Sequence, residues 1–155
     1  MSTLVIFFSY TCNTKKMAQE TAEEKGAVLA EVKPEKLPSK IGAILRSFIG
    51  DMDKKDWSIK PLDVDMNDFD HIIMMAPVWN YRPAPYMNAI INSLPPGKSV
   101  EFIMVSAGGV TKNKDAVVEK VKQAGCTITG WQEISLNMNP VSSIGHVMFK
   151  AKLNK

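Results

Sequence analysis

The chain is poor in histidine and cysteine and has no long apolar run. Its 155 residues include 2 His and 2 Cys. Cys12 and Cys126 stand far apart and make no CxxC or metal-ligand spacing, which excludes the usual zinc and dithiol sites. A disulfide between them is not expected, in keeping with a reducing, cytoplasmic setting. His71 and His146 have no partners at catalytic spacing and read as structural or surface residues. No segment approaches the ~20 apolar residues of a membrane span. No basic region precedes the short apolar run at the N-terminus, so no secretory signal is read there. Basic residues are not striped with aromatics, and nucleic acid is not an expected partner. Neither charge sign dominates: 19 Lys and Arg against 16 Asp and Glu leave a net +3.

What is present fits one soluble α/β domain spanning 1–155. Hydrophobic residues make up 45% and charged residues 23%, ordinary proportions for a globular chain with a proper core. Val5 to Phe8 is a continuous apolar run, suited to a strand covered on both faces. A turn rich in short polar side chains follows: Ser9, Tyr10, Thr11, Cys12, Asn13, Thr14. A helix over 14–25 should start there, capped by Asn13 or Thr14, and stop at Gly26. Such a strand-turn-helix either holds an anion on unpaired N–H groups or is a plain helix cap. Lys15 and Lys16 oppose the dipole of a bare helix N-terminus, and a bound phosphate would reverse that sign.

Residues 27–32 read as a second strand, closed by Pro34 and Pro38. From the cap at Ser39, Ile41, Ile44, Leu45, Phe48 and Ile49 form an apolar helical stripe better suited to core packing than to a membrane surface. Residues 57–70, rich in aspartate, lack the Gly and Glu of a calcium loop and read as a solvated turn. His71 to Ala76 is the third strand. Pro77, Val78, Trp79 and Asn80 then begin a stiff, proline-bounded loop, where Trp79 either walls a planar ligand or plugs the sheet edge. A helix with Met87, Ile90, Ile91 and Leu94 inward precedes a fourth strand, Val100 to Ser106. Ser106, Ala107, Gly108 and Gly109 follow, either a backbone shelf close to a ligand or a tight turn. A helix capped by Thr111, a fifth strand over 126–136 broken near Gly130, and a short helix through Ile144, Val147, Met148 and Ala151 complete the reading.

Strands alternating with helices imply a doubly wound, five-stranded parallel sheet, order 2-1-3-4-5, with helices on both faces. Ligands of such sheets sit at the carboxyl ends of the strands, at the switch point between strands 1 and 3. The three unusual turns all follow carboxyl ends and should converge there.

The turn Ser9-Tyr10-Thr11-Cys12-Asn13-Thr14 resembles the flavodoxin phosphate loop, Thr/Ser-x-Thr-Gly-x-Thr. Ala76-Pro77-Val78-Trp79, followed by Pro83-Ala84-Pro85, resembles the flavin loop of small flavodoxin-family oxidoreductases. The chain is thus similar to short-chain flavodoxins and flavodoxin-like flavoproteins along its whole length. The resemblance implies non-covalent FMN. Ser9, Thr11, Asn13 and Thr14 would hold its phosphate, Pro77 to Asn80 would line its ring with Trp79 against it, and Ser106 to Gly109 would meet its pyrimidine edge. Two departures stand out. Cys12 replaces the loop glycine, which strains the backbone if φ is positive there and places a thiol at a helix N-terminus, where it would be redox-reactive. Ala107-Gly108-Gly109 puts no aromatic over the second flavin face.

The expected function is electron transfer between partner proteins through FMN. The alternatives are a small NAD(P)H-dependent FMN reductase and a flavin-free binding module of the same fold. The short segment 139–155 leaves room for a second copy to cover the last sheet face.

Overall fold

The computed structural model describes residues 1–37, 57–108, 110–136 and the backbone of 151–154. In chain order these form β1 (Thr3–Phe7), α1 (Asn13–Lys25), β2 (Val28–Glu31), β3 (His71–Trp79), β4 (Arg82–Pro83), α2 (Tyr86–Asn92), β5 (Ser99–Ser106), α3 (Lys114–Gln123), β6 (Thr127–Leu136) and β7 (Ala151–Asn154). A 3-10 turn, Met66–Asp68, precedes β3. The sheet order is β2-β1-β3-β5-β6-β7, with β4 attached to β3 outside this path. The first five strands of that order are parallel, as expected for 2-1-3-4-5. Among the described residues the sheet carries two more strands than expected, the short β4 on β3 and β7, which lies antiparallel on β6.

The continuous apolar runs explain why this sheet is buried on both faces. Along β1 and the residue after it, Leu4, Ile6 and Phe8 join one core cluster with Ile72, Met74, Phe102 and Met104. Val5 and Phe7 point the other way, into a cluster with Ile73, Met75 and Ile103. The first cluster is covered by α2 through Tyr86, Met87, Ile90 and Ile91 and by α3 through Val117 and Val121. The second is covered by α1 through Ala18 and Ala22. Each large apolar side chain buried this way contributes about 1.5–3 kcal/mol.

Three expectations change. The solvated turn of 57–70 is half core. Trp57 is buried, and Ile59, Leu62, Val64, Met66 and Phe69 pack against the first cluster. Pro34 and Ile59 form a β-bridge that fixes this connector beside the end of β2. Alternating polar and apolar residues hide such burial, because the aspartates take the outer positions. The C-terminal helix expected to reach Ala151 does not do so, since Ala151–Asn154 is a strand. The adjoining positions Ile144, Val147 and Met148, and the amphipathic stripe from Ile41 to Ile49, lie outside the described residues. The break expected in the fifth strand is a register shift. Val100 pairs with Ile128, and the next pair is Glu101 with Gly130, so Thr129 is the extra residue. Among the described residues no helix is long and apolar enough to cross a membrane.

Candidate functional site

The polar turn between β1 and α1 starts where β1 leaves the sheet. Phe8 N–H still donates to the Met75 carbonyl at 3.1 Å. Ser9 Oγ is buried with no hydrogen-bond partner. Tyr10 is half-buried, Thr11 and Cys12 are exposed, Asn13 is half-buried and Thr14 is buried. The cap is neither Asn13 nor Thr14 but Cys12, with φ 65° and ψ −6°, and no side chain caps the helix. The left-handed conformation that the glycine-bearing motif implied is therefore present at Cys12. Lys16 N–H donates to the Cys12 carbonyl at 3.1 Å. The N–H groups of the turn ahead of it have no intrahelical acceptor, as in any first turn. That turn contains no acidic residue. Lys15 pairs with Glu31 of β2 at 3.4 Å and Lys16 with Glu20 of the same helix at 4.0 Å.

The second segment is a β-hairpin, not an irregular loop. β3 continues through Pro77, Val78 and Trp79, and β4 returns with Val78 opposite Pro83 and Trp79 opposite Arg82. Pro77 is tolerated because β1 pairs with β3 only as far as Met75. Its missing N–H would point to the side that β1 has vacated, where its carbonyl accepts from Ala84 N–H at 3.0 Å. The turn residues Asn80 and Tyr81 have φ 47° and 62°. Two successive positive φ values are the mark of a tight hairpin turn, for which Asn-Gly is the comfortable pair. Tyrosine in place of that glycine costs about 1–2 kcal/mol.

Trp79 brings the first two segments together. Its ring lies 5.8 Å from Tyr10 and 5.7 Å from Phe8, edge to face in both cases. Trp57 and Tyr86 complete the cluster, each 6.4 Å from Trp79. Sequence reasoning did not include Phe8, Trp57 or Tyr86 in the site. Nothing local marks Trp57, which is brought in by the connector; Tyr86 comes with α2 and is held by its hydroxyl donating to the Lys36 carbonyl at 3.0 Å.

The third segment follows β5. Ser106 is buried, Ala107 and Gly108 are exposed, and Gly108 has φ 107°, a conformation only glycine adopts freely. Gly109 lies outside the described residues. Lys112 N–H donates to the Tyr81 carbonyl at 2.8 Å, tying this segment to the hairpin. Thr111 does not cap α3. Asn113 holds that position, and Thr111 N–H donates to Glu133 Oε1 at 3.0 Å.

The turns after β1, β3 and β5 thus meet at one edge, where the strand order reverses between β1 and β3. A flavoprotein of Lactobacillus acidophilus, solved in complex with FMN, superposes with a TM-score of 0.71 at 25% identity, over 85% of this chain and 92% of that one. The chain has the flavodoxin-like fold. The flavodoxin-like sheet is shared with two-electron reduced Megasphaera elsdenii flavodoxin at a TM-score of 0.53 and 18% identity, over 84% of each chain. An NADH:FMN oxidoreductase in its apo form shares the fold at 0.50 and 12% identity, over 84% of this chain and 75% of that one. By sequence, an uncharacterised protein of Archaeoglobus fulgidus is 29% identical over 102 residues, 66% of this chain. The match spans 64% of that relative's own length. No protein-family model matches the chain.

Proposed function

We propose that this flavodoxin-like chain binds FMN non-covalently at the carboxyl edge of its sheet and carries electrons between partner proteins. The observation that carries the reading is the meeting of the Ser9–Thr14 turn with Trp79 at the strand switch point, 5.8 Å between the Tyr10 and Trp79 rings. The residues fit the group. Ser9 Oγ is a buried hydroxyl in want of a partner, and the helix beside it has no side-chain cap. A phosphate supplies acceptors for both. In this reading Ser9, Tyr10, Thr11, Cys12, Asn13 and Thr14 cradle the phosphate. Pro77, Val78, Trp79 and Asn80 border the ring, while Ser106, Ala107, Gly108 and Gly109 face its pyrimidine edge. The likeness to a flavoprotein solved with FMN supports the same reading. When bound, FMN supplies the electron-accepting ring. The protein's part is to hold it, exclude water on the Trp79 side and leave a path outward.

Titrating the flavin-free protein with FMN tests this. Trp79 should quench and the visible flavin bands should shift and saturate at one equivalent. A protein that takes up no FMN would refute the flavin reading and leave the binding-module alternative. The reductase reading draws on one observation, the exposed Ala107 and Gly108, which place no aromatic over that side of the site. Stopped-flow mixing of the FMN-loaded protein with NADPH separates the two. A carrier bleaches slowly without a separate reductase, and rapid bleaching would defeat the carrier.

A further inference from the structure

The turn after β5 leaves the sheet at Ser106, opposite Ser135 of β6, and Ala107 and Gly108 beyond it are exposed. Gly108, at φ 107°, has no described neighbour within 4 Å of where a Cβ would stand, so packing on that side does not fix the turn. The chain is brought back to the protein at Thr111. Thr111 is buried, and its N–H donates to Glu133 Oε1 at 3.0 Å. The N–H of Lys112 donates to the Tyr81 carbonyl at 2.8 Å. The first bond ties the turn to the sheet and the second ties it to the hairpin.

Glu133 is placed for this by its strand. Side chains alternate along β6, so Trp131 and Glu133 share the face that packs with α3. Trp131 lies stacked on Phe102, with ring centres 4.8 Å apart and planes at 30°. Its Nε1–H donates to the same Glu133 Oε1 at 3.3 Å. Lys114 Nζ, at the start of α3, lies 5.4 Å from that ring. Phe102 is fully buried, so the core holds the indole, the indole holds the carboxylate, and the carboxylate holds Thr111. A half-buried carboxylate without donors would cost the fold. Here two N–H groups converge on one of its oxygens, and bonds to a carboxylate are about twice as strong as neutral ones.

We propose that Glu133 is a positioning residue for the flavin site: through the Thr111 N–H it latches the turn after β5, so that Ala107 and Gly108 form a fixed shelf for the pyrimidine edge. The use of the shelf rests on the FMN reading, but the latch is present without flavin. What the latch needs is an acceptor oxygen at the reach of Glu133. Reduction of a flavin gathers negative charge toward its pyrimidine edge, and bonds to charge are the stronger ones. A displaced shelf therefore weakens the reduced ring more than the oxidised one.

The test separates reach from charge. Glu133→Gln keeps an oxygen at the same reach without the charge. Glu133→Asp keeps the charge one methylene short, and Glu133→Ala keeps neither. Amide exchange is followed by NMR on the flavin-free chain, and each protein is titrated with oxidised and with dithionite-reduced FMN. In the Asp and Ala variants the Thr111 amide should exchange about tenfold faster than in the parent, and in the Gln variant within about threefold of it. The Asp and Ala variants should bind oxidised FMN about threefold more weakly and reduced FMN about tenfold more weakly, with the Gln variant close to the parent. Unchanged Thr111 exchange in the Asp variant would overturn the latch. So would a Gln variant that behaves as Ala beside an Asp variant that behaves as the parent, since charge would then be the cause. Equal losses for oxidised and reduced FMN would mark a general loosening and overturn the positioning role. Should Glu133→Ala fail to fold, the Gln and Asp variants decide by the same outcomes. A parent that takes up no FMN, with the Thr111 amide still freed in Glu133→Asp, would sink the flavin reading and leave the latch standing.

Discussion

At the scale of single residues, the site is built from groups that the fold leaves uncomfortable. Cys12 sits at φ 65°. A side chain there costs about 1–2 kcal/mol, of which glycine's greater freedom in the unfolded chain takes back about 0.5–1. Cys12→Gly should therefore stabilise the protein by about 0.5–1 kcal/mol in urea unfolding and tighten FMN if the loop relaxes toward the phosphate. Ser9 Oγ has no partner. Ser9→Ala removes an unsatisfied buried hydroxyl, so the flavin-free protein should be as stable as the parent or more so. The FMN-loaded protein should lose about 0.5–1.5 kcal/mol of binding, read from parallel titrations, because the hydroxyl then had an acceptor. A weaker flavin-free protein with unchanged FMN affinity would remove Ser9 from the site.

At the scale of elements, the hairpin and the bulge carry the local decisions. Tyr81→Gly should stabilise the β3–β4 turn by about 1 kcal/mol in thermal or urea unfolding, since Tyr81 has φ 62°. In β6, a Cβ on Gly130 would stand 3.1 Å from Glu101 Cγ, and Glu101 Oε1 is held by Gln132 at 2.8 Å. Gly130→Ala should cost about 1 kcal/mol by urea unfolding, since the Glu101 side chain must give way while it is held by Gln132. The continuous run of β1 was legible in the sequence because burial on both faces demands it. The hairpin was not: three prolines suggested an irregular loop, and only the early end of the β1–β3 pairing makes room for Pro77 inside β3.

At the scale of the whole molecule, one carboxylate ties down the end of the sheet opposite the site. Asp70 accepts from Ser2 N–H at 2.9 Å and from Ser2 Oγ at 3.2 Å, holding the start of β1 beside β3. Those bonds, backbone first, hold its carboxyl below its ordinary value of 3.8. Asp65 is lowered in the same way by the N–H and the amide of Asn67. A carboxyl whose pKa falls on folding stabilises the fold fully above 3.8, and that stability fades as pH drops through the folded value. Asp70→Asn should be less stable than the parent at neutral pH by urea midpoint, and the difference should shrink as the medium is acidified below 3.8. A constant difference across that range would mean the ionised form is not what matters. The sequence by itself determined the alternation of strands with helices, the stop of α1 at Gly26 and the three turns at carboxyl ends, because run length, glycine and proline act locally. Tertiary structure alone decided that Trp57 and Tyr86 back Trp79, that Cys12 is the residue held left-handed at the helix start, and that β7 closes the edge. Those outcomes depend on which distant segments share one space, and no local preference encodes that.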